Sequence, residues 1–108
     1  MKGSELEEVD AQNKTRILSL DAEFSEDHKR VLVRLKLSDA GERPTAYLAL
    51  IDSQGKEISS SIILELMFPV LNFTLHLGNY PTGSPVRIAA RIVKDKEILL
   101  DEKTEVVK

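Results

Sequence analysis

From residue 15 onward the chain alternates apolar and polar positions, the period of two that turns one face of a β-strand toward a core and the other toward water. Leu18, Leu20, Ala22 and Phe24 alternate within residues 15–24, the first predicted strand. The polar connection Ser25-Glu26-Asp27-His28-Lys29 leads to residues 30–37, where Val31, Val33, Leu35 and Leu37 share one face and Arg34 and Lys36 point to solvent. Residues 38–44, Ser-Asp-Ala-Gly-Glu-Arg-Pro, carry what turns require: Asp for local backbone bonding, Gly for positive φ, Pro to end pairing. A third strand is predicted over residues 45–52. Asp52-Ser53-Gln54-Gly55-Lys56 then predicts a short hairpin with Gly55 in the left-handed position, leading into a fourth strand over residues 57–60.

Residues 61–71, Ser-Ile-Ile-Leu-Glu-Leu-Met-Phe-Pro-Val-Leu, break the pattern, because a short continuous apolar run fits either a buried strand or a helical turn. The β-branched Ile62 and Ile63 and the helix-blocking Pro69 favour extended structure. Alternation resumes with Leu71, Phe73, Leu75 and Leu77, then with Val86, Ile88, Ala90 and Ile92, and ends in a run over residues 97–107 after a tight turn at Lys94-Asp95-Lys96. About seven antiparallel strands at roughly ten-residue spacing, with no long helix, predict an all-β, immunoglobulin-like sandwich; a closed barrel of six or seven strands is the competing architecture.

Phe73-Thr74-Leu75-His76-Leu77-Gly78-Asn79-Tyr80-Pro81-Thr82-Gly83, followed by Val86-Arg87-Ile88-Ala89-Ala90-Arg91-Ile92, resembles the penultimate hairpin region of fibronectin type III-like and bacterial immunoglobulin-like modules. The pattern shared is apolar-x-apolar, a Pro-x-Gly turn and an alternating strand. The chain departs from it in placing Tyr80 before the turn glycine and Ser84-Pro85 after it, and in having no Trp for the core. The resemblance implies a sandwich over residues 15–107.

Composition narrows the function more than it defines it. A length of 108 residues suits one domain. Residues 1–14 carry a net charge of −2 of the chain's −3 and few apolar side chains, which predicts a flexible acidic tail ahead of a domain over 15–108, with a short helix from Ser4 to Ala11 as the alternative. The nearly neutral remainder has no Lys/Arg cluster, which disfavours nucleic acid as a partner. The absence of cysteine excludes disulfides, thiolate nucleophiles and sulfur-ligated metals. No apolar run approaches the 18 or so residues of a membrane span, and the first eight residues lack the apolar core of a secretory signal. Compartment stays open: cytoplasmic, or extracellular or cell-envelope if an export signal has been removed.

Candidate chemistry is sparse. The only imidazoles are His28, in a polar connection, and His76, which alternation turns to solvent. The hydroxyl cluster Ser59-Ser60-Ser61 lies in a predicted strand end, where serines satisfy backbone groups more often than they attack substrates. Glu26 and Asp27 offer loop carboxylates for Ca²⁺, but Asp21-Ala22-Glu23-Phe24-Ser25-Glu26-Asp27 lacks the glycine-punctuated spacing of a dedicated loop. Phe24 and Phe73 read as core. Tyr47, Tyr80 and Phe68 remain as exposed rings on which a sugar could stack. Two Asn-x-Thr sequons, at Asn13 and Asn72, carry meaning only in a glycosylating pathway.

No catalytic, cofactor-binding or metal-ligating residue is therefore assigned, and enzymatic activity is not expected. The expectation is a non-catalytic interaction or spacer module, part of a larger exported or surface protein, with a carbohydrate- or calcium-binding sandwich as the alternative. Its expected contact surface is an edge strand or the apolar stretch Ile62 to Leu71, against protein. That stretch also suits a strand buried on both sides or an ordinary crossing between sheets.

Overall fold

A computed structural model describes residues 15–38, 43–66, 68–81, 83–95 and 98–108. The expected acidic tail lies outside the described residues. Seven strands follow in order: β1 (Ile17–Phe24), β2 (Arg30–Leu37), β3 (Thr45–Ile51), β4 (Glu57–Ile63), β5 (Val70–His76), β6 (Arg87–Lys94) and β7 (Ile98–Val106). They form two sheets, β1-β2-β5 and β4-β3-β6-β7, in which every pairing is antiparallel. The all-β sandwich read from the alternation is thus the architecture observed. β4 pairs with β3; a constant-type immunoglobulin domain seats its fourth strand on the other sheet.

The alternation selects the core with few exceptions. Val31, Val33, Leu35 and Leu37 of β2 face Ala46, Leu48 and Leu50 of β3 and Ile88, Ala90 and Ile92 of β6, all buried. One exception sits at the start of β1. The pairing of β1 with β2 shifts between Ile17 and Ser19, so that Ile17 turns inward and Leu18, expected in the core, stands 56% exposed. A β-bulge puts two residues opposite one and breaks the period of two locally, which alternation alone does not reveal.

The hairpin between β3 and β4 forms as its residues demand. Gly55 takes φ +83°, a conformation that costs a residue with a Cβ about 1–2 kcal/mol. The Asp52 carboxylate accepts from the amides of Gln54 and Lys56, both at 2.9 Å, satisfying groups that the turn would leave open. A bulge at Ile58 follows, where the register with β3 shifts between Leu50 and Ile51.

The ambiguous stretch is an inter-sheet crossing. Residues 61–63 extend β4 beyond the predicted end at Ser60, and β5 begins at Val70, inside the stretch that breaks the alternation. Between them Glu65 takes φ +47° and Leu66 plugs the core at 5% exposure. The crossing is fastened at both ends: the Leu66 amide donates to the Pro44 carbonyl (2.8 Å) and the Leu37 amide to the Pro69 carbonyl (2.7 Å).

One side of the sandwich is laced shut. The Lys108 amide donates to the Ala22 carbonyl (3.0 Å), and the Phe24 amide donates to the Lys108 carbonyl (2.9 Å), so the chain after β7 runs beside β1. At the other end of β1 the Ile17 amide donates to the Asp101 carboxylate (2.9 Å), which also accepts from the Glu102 amide (2.9 Å). The register of β6 with β7 shifts at this point, leaving Leu100 as an extra, buried residue beside Asp101. Asp101 of β7 thus caps the neighbouring strand.

Candidate functional site

The residues with reactive side chains are dispersed over the two sheets. Ser59, Ser60 and Ser61 lie on β4 of the four-stranded sheet, His76 ends β5 opposite Arg30 in the three-stranded sheet, and His28 sits in the turn between β1 and β2. His76 is exposed, as alternation requires. His28 adopts φ +57° and lays its ring against Phe24, with centroids 5.3 Å apart. The hydroxyl nearest to it in sequence, that of Ser25, is already committed: it donates to the Asp27 carboxylate and accepts from the Arg30 amide (3.2 Å). No nucleophile and base are brought together among these groups.

The turn from Ser25 to Lys29 is a closed hydrogen-bonded unit. One Asp27 oxygen accepts from Ser25 and from the Lys29 amide (3.1 Å), while the other faces Arg30 at 4.0 Å. The Ser25 hydrogen bond, then the Lys29 amide, and less strongly the nearby Arg30 and Lys29 charges hold the Asp27 carboxyl below its ordinary value of 3.8. The carboxylate thus organises the turn, and Asp21 and Glu23 point outward from β1. Because the folded form binds its proton more weakly than the unfolded chain, Asp27 contributes stability above the unfolded pKa. That contribution fades as pH falls through the depressed folded value. Asp27→Asn is accordingly expected to be destabilising at pH 7 and to approach the parent as pH falls through the depressed folded value in urea unfolding; a gap independent of pH would contradict this assignment.

The three rings considered for stacking have three fates. Tyr80 packs against the core, and its hydroxyl donates to the Pro85 carbonyl (2.8 Å), closing the loop between β5 and β6. Tyr80→Phe is expected to cost about 1 kcal/mol in chemical denaturation by removing that bond while keeping the packing. Phe68 is exposed in the crossing. Tyr47 lies on the outer face of the four-stranded sheet, where the Arg91 guanidinium covers its ring at 5.1 Å. No sequence pattern announced that stack; it arises because Tyr47 and Arg91 are register partners on adjacent strands.

Around this pair the outer face forms a trough of about 410 Å³. Its floor is a row of small residues across all four strands, Ser60, Ala49, Ala89 and Thr104. Its wall is the next row, Ile62, Tyr47, Arg91 and Glu102. Glu57 stands at one end, so the trough holds hydroxyls, one guanidinium and two carboxylates.

The segment from Ile62 to Leu71 divides by exposure. Leu66 is core, Ile63 and Leu71 pack partly against it, and Ile62 (59% exposed), Leu64 (69%), Phe68 (68%) and Val70 stand out from the surface. Its surplus of apolar residues is therefore partly a core plug and partly free surface. β4, an edge strand of the four-stranded sheet, runs directly into this segment.

Fold and surface together define a β-sandwich module. No family model matches the chain, and no curated protein matches its sequence. Among solved structures it is similar to a β-glucuronidase from Ruminococcus gnavus in complex with uronic deoxynojirimycin (TM-score 0.53, 15% identity, 85% of this chain and 15% of that one). The same enzyme with a C6-substituted uronic isofagomine gives a TM-score of 0.58 at 18% identity over the same shares. Bifidobacterium dentium β-glucuronidase complexed with coumarin-3-O-glucuronide gives 0.61 at 7% identity, covering 86% of this chain and 18% of that one. The likeness is one of fold, and the chain spans less than a fifth of the length of these enzymes.

Proposed function

We propose that this chain is a non-catalytic spacer and interaction module of a larger carbohydrate-processing polypeptide. The observation that carries the reading is the path of the backbone. The described chain enters β1 at one end of the sandwich, and Lys108 lies beside Ala22 and Phe24 at the other. Seven residue steps from Ile17 to Phe24 separate entry and exit by about 23 Å. Opposite entry and exit suit a module that holds neighbours apart in line. The dispersal of imidazoles and hydroxyls over separate sheets fits a role without catalysis, and the resemblance to a small share of two glycoside-cleaving enzymes fits membership of a longer chain.

A tandem duplicate, Lys108 joined to residue 15 of the next copy, tests the spacer role. Its longest dimension in small-angle scattering is expected to grow by about the length of one module, with the unfolding midpoint unchanged; a folded-back, compact pair would refute it. Turnover of aryl β-glucuronides by the purified chain would refute the non-catalytic part.

One observation favours a second reading, a weak site for a neutral oligosaccharide in the trough. The Ser60 and Thr104 hydroxyls, the Arg91 guanidinium and the Glu57 and Glu102 carboxylates line it, and the four strands span about 14 Å, the length of two to three sugar units. The covered Tyr47 ring counts against it, since stacking would require Arg91 to leave. Shifts of the Ala49 and Ala89 amides on titration with neutral oligosaccharides, absent with their uronate analogues, would support the site.

A further inference from the structure

The two long sides of the sandwich differ. On one, Lys108 and Asp101 bond to the backbone of β1, and Lys103 and Glu105 pair at 3.7 Å nearby. On the other, β4 and β5 are both edge strands, and neither carries Asp, Glu, Lys or Arg from Ile58 to Ile63 or from Val70 to Leu75. An edge strand without charge or proline is a template for another strand, because its outward amides and carbonyls have no partner within the sheet.

We propose that β4 pairs antiparallel with β4 of a second copy of this chain, joining two four-stranded sheets into one of eight. The proposal rests on the interaction-module reading above and names its partner. The bulge at Ile58 ends the straight part of the strand, leaving Ser59, Ser60, Ser61, Ile62 and Ile63 to pair. The two-fold axis of a five-residue segment passes through its middle residue, Ser61. That register sets Ser60 opposite Ile62 of the second copy on the outer face and Ser59 opposite Ile63 on the inner one. Ser59 and Ser60 each meet an isoleucine, both contacts occur twice, Ser61 meets its own copy on the axis, and Glu57 and Glu65 fall outside the paired segment. The segment is complementary to itself, which is what a second copy requires. The exposed Ile62 then gains cover that the isolated chain does not give it.

Five paired residues make a small interface, so the dimer is weak, with a dissociation constant of about 0.1 mM. Sedimentation of the whole chain from about 10 to 500 μM reads it, and in amide exchange β4 gains protection as concentration rises. Ser60→Lys with Ile62→Lys sets lysine against lysine twice and is expected to weaken the dimer tenfold or more. Ser60→Lys with Ile62→Glu sets lysine against glutamate twice in the same register and is expected to restore it. Both pairs of substitutions fall on exposed positions, and an unchanged unfolding midpoint shows that the fold persists. A strict monomer at 500 μM overturns the proposal and leaves the tandem-spacer result untouched. A dimer indifferent to both double variants, or one lost instead on Thr74→Lys in β5 or on Phe68→Ser in the crossing, also overturns it.

Discussion

Leu48→Ala is expected to lower the unfolding free energy by about 2–5 kcal/mol, the largest loss of any single substitution considered. Leu48 is 1% exposed at the middle of β3, between Ser61 of β4 and Ala90 of β6. These lateral neighbours are small, and strands fixed on both sides by backbone bonds do not collapse inward, so the deleted methyl groups leave a cavity rather than a repacked core. For a domain of this size each kcal/mol moves the melting temperature by about 4–8 °C, which places the variant at least 8 °C below the parent in calorimetry. A shift below 3 °C would mean that the sheets can close over the site. Leu18→Ala is the paired control: at 56% exposure it is expected to cost less than half as much.

Asp101→Ala is expected to cost about 1–3 kcal/mol, with an effect confined at first to one side of the sandwich. Its carboxylate accepts from the buried Ile17 and from Glu102, and alanine leaves the Ile17 amide without a partner. Hydrogen exchange should show faster exchange at Ile17 and then along β1, while β3 and β6 keep their protection. Asp101→Asn retains an acceptor oxygen and should recover part of the loss. If Ile17 exchange were unchanged in Asp101→Ala, the lacing of β1 to β7 would not be what holds that side closed.

Much of the fold was legible because a strand buried on one face must alternate. β2, with Val31, Val33, Leu35 and Leu37 inward, has the predicted boundaries, and the Asp52 to Lys56 hairpin follows from an Asp that can cap and a Gly that tolerates positive φ. The misreading of Leu18 has a definite cause: a bulge is a property of the pairing of two strands, and neither strand alone shows it. The same holds for the stretch from 61 to 71. Its composition allowed a buried strand or a crossing, and the distinction depends on which sheet receives each end.

The candidate site was less legible. Asp101 is one of four charged residues between 101 and 105, and only the bulge at Leu100 singles it out by setting it against the Ile17 amide. Tyr47 and Arg91 are 44 positions apart in the chain, so their stack, and the row of small residues beside it, depend on register. Tyr80 looked available for a ligand until its hydroxyl was found on the Pro85 carbonyl.

Local chemistry and periodicity by themselves determined an all-β chain, its principal strands, the inward residues of most of them and the turn at Gly55. These follow from interactions within a few residues, which the sequence states directly. The tertiary structure decided the rest: the partition of seven strands into three and four, the bulges, the lacing of one side by Lys108 and Asp101, and the bare edge at β4. Each of these is settled by long-range pairing, where several registers satisfy the same alternation and only simultaneous closure of both sheets selects one.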